Sequence, residues 1–128
     1  MTAPKWLSTI LLEFGEGIGL REFKLNAQNA AQLRFETGSA LRFEYAFESL
    51  VIAMQVPAPQ DAELMKRLLI YAQPERRPAF KLRVGYLEKT SSVVFAACLA
   101  EREVTLPVIN AVFTELWHLA EDFRRRLA

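Results

Sequence analysis

Cysteine and histidine are almost absent from this chain of 128 residues, which contains only Cys98 and His118. A single cysteine excludes an intramolecular disulfide. A zinc site usually takes several histidine or cysteine ligands, and a histidine-based triad needs a nucleophile and an orienting acid as well. Neither kind of site can therefore be built within one chain. We expect His118 to be a packing or surface residue and Cys98 to be buried among small and apolar strand residues.

A strong charge of either sign is also missing. Sixteen basic residues against fifteen acidic ones leave a formal charge of +1, which argues against nucleic-acid binding by bulk charge. The uncharged and mostly apolar runs, such as residues 90–100, are all well short of the ~20 residues that a membrane helix needs. Glu13 and Glu16 interrupt the apolar start of the chain, so it does not resemble a signal peptide. These absences predict one soluble, cytoplasmic domain over residues 1–128, without nucleic-acid partner, membrane insertion, metal or cofactor.

The first part of the chain predicts a helix followed by three strands. Thr2 and Pro4 are typical of a helix start, and the glycines of residues 15–19 end the helix. Alternation on both sides of the turn at residues 37–38 predicts a hairpin with one apolar and one charged face. Residues 50–56 are apolar on both faces, which predicts a third strand buried on two sides.

The rest of the chain predicts a second helix, two strands and a long final helix. Asp61 is suited to cap the second helix, and residues 73–74 end it at a proline. Residues 80–86 alternate strictly, and residues 93–99 are again apolar on both faces. Thr105 caps the final helix, whose apolar stripe has helical spacing. The stripe consists of Ile109, Val112, Phe113, Leu116, Trp117, Ala120, Phe123 and Leu127.

The predicted fold class is α+β, a twisted antiparallel sheet covered by helices in the order helix, three strands, helix, two strands, helix. The final helix and the hairpin before it form the scaffold of this fold. Helices on only one face would leave the other face of the sheet uncovered, and the chain is rich in phenylalanine, with nine residues. We therefore expect an exposed apolar patch that binds a partner. Helices on both faces would leave no such patch.

This order of elements, together with residues of the last third, resembles the class I chaperones of type III secretion, and among them the SycN-type subfamily. The resemblance is carried by Leu82, Arg83, Gly85, Leu87 and Ser91, by the ERE and VTLP segments of residues 101–107, and by Ala111 and Leu116. The N-terminal half matches in order and patterning, with Trp6 near the start. Class I chaperones are often acidic, and the near-neutral charge of this chain departs from that pattern.

The resemblance implies a dimeric chaperone that is not an enzyme and uses no cofactor. For the SycN type it implies a heterodimer with a second, related small chaperone, located in the bacterial cytoplasm or peripherally at the secretion apparatus. The pair would hold the N-terminal segment of a secreted gatekeeper of the YopN type in an extended, secretion-competent state. Two alternatives stay open: a homodimeric effector chaperone with a different cargo, and a small α+β ligand-binding domain.

Two interaction surfaces are expected on this basis. The second helix would face the fourth strand across the dimer interface, through Leu64, Met65, Leu68, Leu69, Phe80, Leu82, Val84 and Tyr86. The cargo would add a strand to an exposed sheet edge and dock its apolar side chains against the first helix and the first hairpin. The cargo-binding residues would be Trp6, Ile10, Phe14, Leu33, Phe35, Leu41 and Phe43.

Overall fold

The computed structural model describes residues 3–59, 63, 64, 66, 68 and 82–127. Its elements are α1 (Lys5–Gly17), β1 (Ala30–Arg34), β2 (Ala40–Ala46), β3 (Ser49–Pro57), β4 (Leu82–Leu87), β5 (Ser92–Ala100) and α2 (Leu106–Leu127), with a 3-10 turn over Glu101–Glu103 before α2. Of the predicted second helix, Glu63, Leu64, Lys66 and Leu68 are helical, and Leu64 and Leu68 are buried. Asp61, Met65, Leu69 and Phe80 lie outside the described residues.

The five strands form one antiparallel sheet in the order β1-β2-β3-β5-β4. The predicted α+β class and antiparallel sheet are therefore confirmed. Among the described strands, this order places β3 at the centre between β2 and β5 and leaves β1 and β4 at the two edges. Because β3 pairs with β5, strands from the two halves of the chain are neighbours inside the sheet.

One face of the sheet, which we call the inner face, forms the hydrophobic core with α1, α2 and the helical residues Leu64 and Leu68. Rows of paired residues run across it, such as Leu41, Met54 and Phe95 on neighbouring strands, all of them fully buried. Helix α2 covers this face with its apolar stripe, of which Ile109, Val112, Leu116, Ala120 and Phe123 are buried. The helix begins as predicted, because the Thr105 hydroxyl accepts a hydrogen bond from the Val108 amide at 3.3 Å.

Helix α1 is held to the same core by Phe14. The ring centroid of Phe14 lies 5.4 Å from Phe43 of β2, 5.4 Å from Phe113 of α2 and 6.1 Å from Phe23 in the loop after α1. The tilted and edge-on geometries are those that aromatic rings prefer. A single side chain thus connects α1 with α2, the sheet and the loop.

The opposite face, which we call the outer face, corrects two predictions. On the outer face of β3 Ala53 is buried but Val51 is only half-buried, so the predicted burial of this strand on both sides holds only in part. Cys98 pairs with Val51 and is exposed, so the prediction of a buried cysteine was also wrong. The physical reason is that small apolar residues suit a partly open face as well as a covered one, and the strand pattern alone does not distinguish the two.

The turn between β2 and β3 exposes a large aromatic residue. Phe47 has φ 52° and Glu48 has φ 58°, and the Phe47 side chain is 91% exposed. Two-residue hairpin turns favour positive φ at both positions, but asparagine and glycine normally occupy them. The Glu101 amide donates a hydrogen bond of 2.9 Å to the Glu48 carbonyl, which ties the turn to the end of β5.

We predict opposite effects of the same substitution at two glycines of α1. A Cβ on Gly15 would lie 2.5 Å from Phe23 Cβ, so Gly15→Ala forces the helix and the loop apart and costs about 1–3 kcal/mol. A Cβ on Gly17 meets nothing within 4 Å, and Gly17→Ala gains up to about 1 kcal/mol of helix propensity. Urea unfolding midpoints measure both changes, and equal effects of the two variants would contradict the close packing of Phe23 on α1.

A second prediction concerns Tyr45, whose hydroxyl donates to Glu101 Oε2 at 3.2 Å. Burial, the nearby Glu101 carboxylate and this hydrogen bond raise the pKa of the Tyr45 phenol above its ordinary value of 10.0. Above that pH the unfolded chain loses the proton while the folded chain keeps it, so stability falls as pH rises through the folded pKa. Unfolding midpoints between about pH 9 and about pH 11 should fall less steeply in Tyr45→Phe than in the wild type. Parallel curves would contradict the Tyr45–Glu101 contact.

Candidate functional site

Strand β1 forms one edge of the sheet, and its hydrogen-bonding pattern shows which backbone groups it offers. The Phe35 amide donates to the Ser39 carbonyl at 2.8 Å, and the Tyr45 amide donates to the Asn29 carbonyl at 2.9 Å. In an antiparallel ladder the bonded positions alternate, so the odd-numbered residues of β1 direct their backbone groups toward β2. The amides and carbonyls of Gln32 and Arg34 therefore point away from the sheet.

Asn26 closes one end of this edge. Its amide donates to the Ala30 carbonyl at 2.7 Å, and its side-chain oxygen accepts from the Ala30 amide at 3.1 Å. The outward backbone groups of Ala30 are thus occupied within the chain, whereas those of Gln32 and Arg34 have no partner among the described residues and form a short open edge. An extended peptide can pair with these groups as an additional strand.

A strip of half-buried aromatic rings lies beside the open edge. The strip consists of Phe35, at the end of β1, and of Phe113 and Trp117 on α2. The ring centroid of Phe35 lies 4.9 Å from Trp117 and 6.4 Å from Phe113. Half-buried rings keep part of their apolar surface available to a further side chain. The open edge and the aromatic strip therefore offer backbone pairing and apolar contact next to each other.

The structure separates the predicted cargo-binding residues into two groups. Phe14, Leu41 and Phe43 are at most 1% exposed and lie in the core, because strand alternation and the ring contacts of Phe14 direct them inward. Leu33 and Phe35 are half-buried at the β1 edge. Only this second group lies where an added strand can contact it.

Trp6 and Ile10 lie on α1, and Trp6 is remote from the aromatic strip. The Trp6 ring is 41% exposed and lines an open cavity of about 320 Å³ with Glu48, Ala100, Glu101 and Arg102. Glu48 lies in the turn between β2 and β3, and Ala100 at the end of β5 pairs with Ser49, so this cavity is at the β2–β3 turn. Phe35 lies before the start of β2, at the opposite end of that strand. The predicted single docking surface is therefore two separate places on the molecule. Ile10 is half-buried against the core.

Strand β4 carries the described part of the predicted dimer interface. Leu82 is buried, and Val84 and Tyr86 are half-buried on the inner face opposite Phe95 and Val93. The Tyr86 hydroxyl donates to the Ala58 carbonyl at 2.9 Å, which anchors the strand. Leu64 and Leu68 also belong to the core of the chain itself. Among the described strands β4 is an edge strand, and the half-exposed side chains of Val84 and Tyr86 lie next to that edge.

Sequence reasoning assigned Phe113 and Trp117 to the core stripe of the final helix and overlooked Phe47. Phe113 and Trp117 have the same spacing on the helix as its fully buried residues, so no local pattern identified the aromatic strip. Phe47 carried a signal, because a large aromatic residue between two strands stands where turn residues are expected.

Comparison with known proteins decides the family. The sequence model of the type III secretory system chaperone SycN matches residues 6–123. The chain belongs to the SycN family of type III secretion chaperones. None of the proteins with a curated description matches this SycN-family chain. Among the described residues of this family member, no helix has the length and apolar character needed to cross a membrane.

Solved structures with the same fold include a chain of the ExsC–ExsE complex. It has a TM-score of 0.84 at 24% identity and covers 99% of this SycN-family chain and 97% of that chain. A chain of the HopA1–SchA chaperone–effector complex has a TM-score of 0.75 at 16% identity, with 94% of each chain covered. The Yersinia pestis type III secretion chaperone SycH in complex with a stable fragment of YscM2 matches with a TM-score of 0.69 at 16% identity, covering 94% of this chain and 98% of that chain. At these identities the similarity establishes the shared fold.

Proposed function

We propose that this chain binds the N-terminal segment of a secreted protein and keeps it in an extended, secretion-competent state. The observation that carries the proposal is the open edge of β1 at Gln32 and Arg34, which lies beside the aromatic strip. Backbone pairing tolerates many sequences, and half-buried aromatic rings accept apolar side chains of different shapes. Both properties suit a chaperone of the SycN family that must hold an unfolded segment without acting on it chemically.

The bound segment would lie antiparallel or parallel to β1 with alternate side chains directed to the inner face. Those side chains would contact Leu33 and Phe35 on β1 and Trp117 on α2, all of which are half-buried. The ExsC–ExsE, HopA1–SchA and SycH–YscM2 structures are complexes of two different proteins, which supports a binding role for this fold. From the SycN-type resemblance, the proposed cargo is a gatekeeper of the YopN type, bound in the cytoplasm or at the secretion apparatus.

The second partner would be another small chaperone, joined through β4 and the helical segment that contains Leu64 and Leu68. β4 is the remaining edge strand, so a second chain can approach it without disturbing β1. The near-neutral charge of +1 is suited to a more acidic chaperone subunit in a heterodimer. A homodimer with a different effector as cargo is the alternative, and co-expression with a related chaperone distinguishes them by the mass of the complex.

We predict that Gln32→Pro weakens cargo binding by about tenfold, because proline removes an amide donor from the open edge. Proline is tolerated on an edge strand where its nitrogen faces outward, so the fold should persist. Fluorescence anisotropy with a labelled N-terminal segment of the candidate gatekeeper measures the affinity.

Gln32→Ala is the matched control for this variant. It removes the same side chain but keeps the amide, so its affinity should stay near that of the wild type. Circular dichroism establishes that both variants are folded. Equal affinities of Gln32→Pro and Gln32→Ala would exclude strand addition at β1.

We predict separately that Val84→Glu on β4 reduces dimer formation at least about tenfold, because it places a carboxylate in an apolar interface. Val108→Glu is the control, since Val108 is the same residue type with similar burial on α2. Light scattering of the purified chain, alone and with a co-expressed chaperone, measures the association. Dimers that are equally stable in both variants would place the interface elsewhere.

A further inference from the structure

The outer face of the sheet has an ordered arrangement of charge and small residues. In one row across four strands, Arg42 of β2 pairs with Ala53 of β3, Ala53 pairs with Ala96 of β5, and Ala96 pairs with Arg83 of β4. Two arginines therefore flank a surface formed by Ala53 and Ala96, which we call the alanine floor. Neighbouring strands lie about 4.8 Å apart, so the two arginine positions are about 14 Å apart across the sheet.

The floor continues along the strands with further small or half-buried residues. On one side of the alanines, Val51 pairs with the exposed Cys98, and on the other side Val94 pairs with Gly85. A Cβ built on Gly85 meets no atom within 4 Å, so the surface above it is open. Small residues permit a close approach of another backbone. β3 and β5 are nine residues long, so five alternate residues of each face the outer side.

The charge along the borders is predominantly positive. The Arg42 guanidinium is held in place by Glu44 Oε2 and by Gln32 Oε1, each at 3.4 Å, and Arg34 adds a further cation on β1. Arg83 is exposed on the opposite border. The borders thus carry three arginines and one glutamate. Like charges would repel a second copy of the same face, whereas a segment with carboxylates on both flanks would be attracted.

We propose that the outer face binds an amphipathic acidic helix, with its apolar stripe on the alanine floor and its carboxylates beside Arg42 and Arg83. An α-helix with its side chains is about 10–12 Å wide, which fits the distance of about 14 Å between the two arginine positions. The helix belongs to the same bound polypeptide as the strand at β1, and in this respect the proposal rests on the proposed function. The two surfaces are on different parts of the sheet and are tested separately.

The test uses a synthetic helical peptide of about 18 residues with an alanine–leucine stripe and glutamates on both flanks. A counterpart carries lysine in place of each glutamate. Because Cys98 is the only cysteine of the chain and lies on this face, its reaction rate with dithiodipyridine reports occupancy directly. We expect the acidic peptide to slow the reaction several-fold and the lysine peptide to leave it unchanged.

Charge reversal tests the role of the borders. The double variant Arg42→Glu with Arg83→Glu should bind the acidic peptide about tenfold more weakly by fluorescence anisotropy. Arg102→Glu, on the exposed 3-10 turn, changes the net charge without touching this face and should retain most of the affinity. If the double variant does not fold, Arg83→Gln alone should still lower the affinity by a smaller factor.

Three outcomes would overturn the proposal: equal binding of the two peptides, an unchanged Cys98 rate, or equal effects of the Arg102 and double variants. A Cys98 rate that falls with protein concentration in the absence of peptide would instead assign the face to a second copy of the chain. Gln32→Pro should not affect binding of the acidic peptide beyond Gln32→Ala. A failure of strand addition at β1 is therefore distinguishable from a failure of helix binding at the outer face.

Discussion

The packing of Phe14 is the interaction on which the arrangement of the other elements depends. Its ring contacts Phe43 of the sheet, Phe113 of α2 and Phe23 of the loop, so it joins α1 to the sheet, to α2 and to the loop. Phe113 is also part of the aromatic strip, where Phe35 and Trp117 remain half-buried. The core and the candidate binding surface thus share a side chain, and the core fixes the position of the surface.

Much of the fold follows from local chemistry in the sequence. Thr105 predicted the start of α2, the glycines after Phe14 predicted the end of α1, and alternation predicted the first hairpin, because each depends on residues close in the chain. The position of β5 between β3 and β4 depends on pairing between distant segments, for which no local signal exists. Periodicity shows that Val51 and Cys98 share a face with their neighbours, but it does not show what covers that face.

The candidate site was predictable to the same extent. Leu33 and Phe35 were recognised because they alternate on an amphipathic strand, and they do lie at a sheet edge. Phe14, Leu41 and Phe43 have the same pattern and are core residues, since apolar spacing is identical for a groove and for an interior. Arg42 and Arg83 lie on opposite sides of the alanine floor because of the register of four strands, which the sequence does not reveal.

The turn at Phe47 and Glu48 has a consequence for the order of folding. Because two residues without asparagine or glycine adopt positive φ, the hairpin of β2 and β3 is costly to close by itself. Its closure is completed by the Glu101 amide, which belongs to a much later part of the chain. The β2–β3 hairpin is therefore a poor folding nucleus, and its amides should gain protection from hydrogen exchange only after β5 has paired. During synthesis, the complete five-stranded sheet can form only after the ribosome has added the residues of β5.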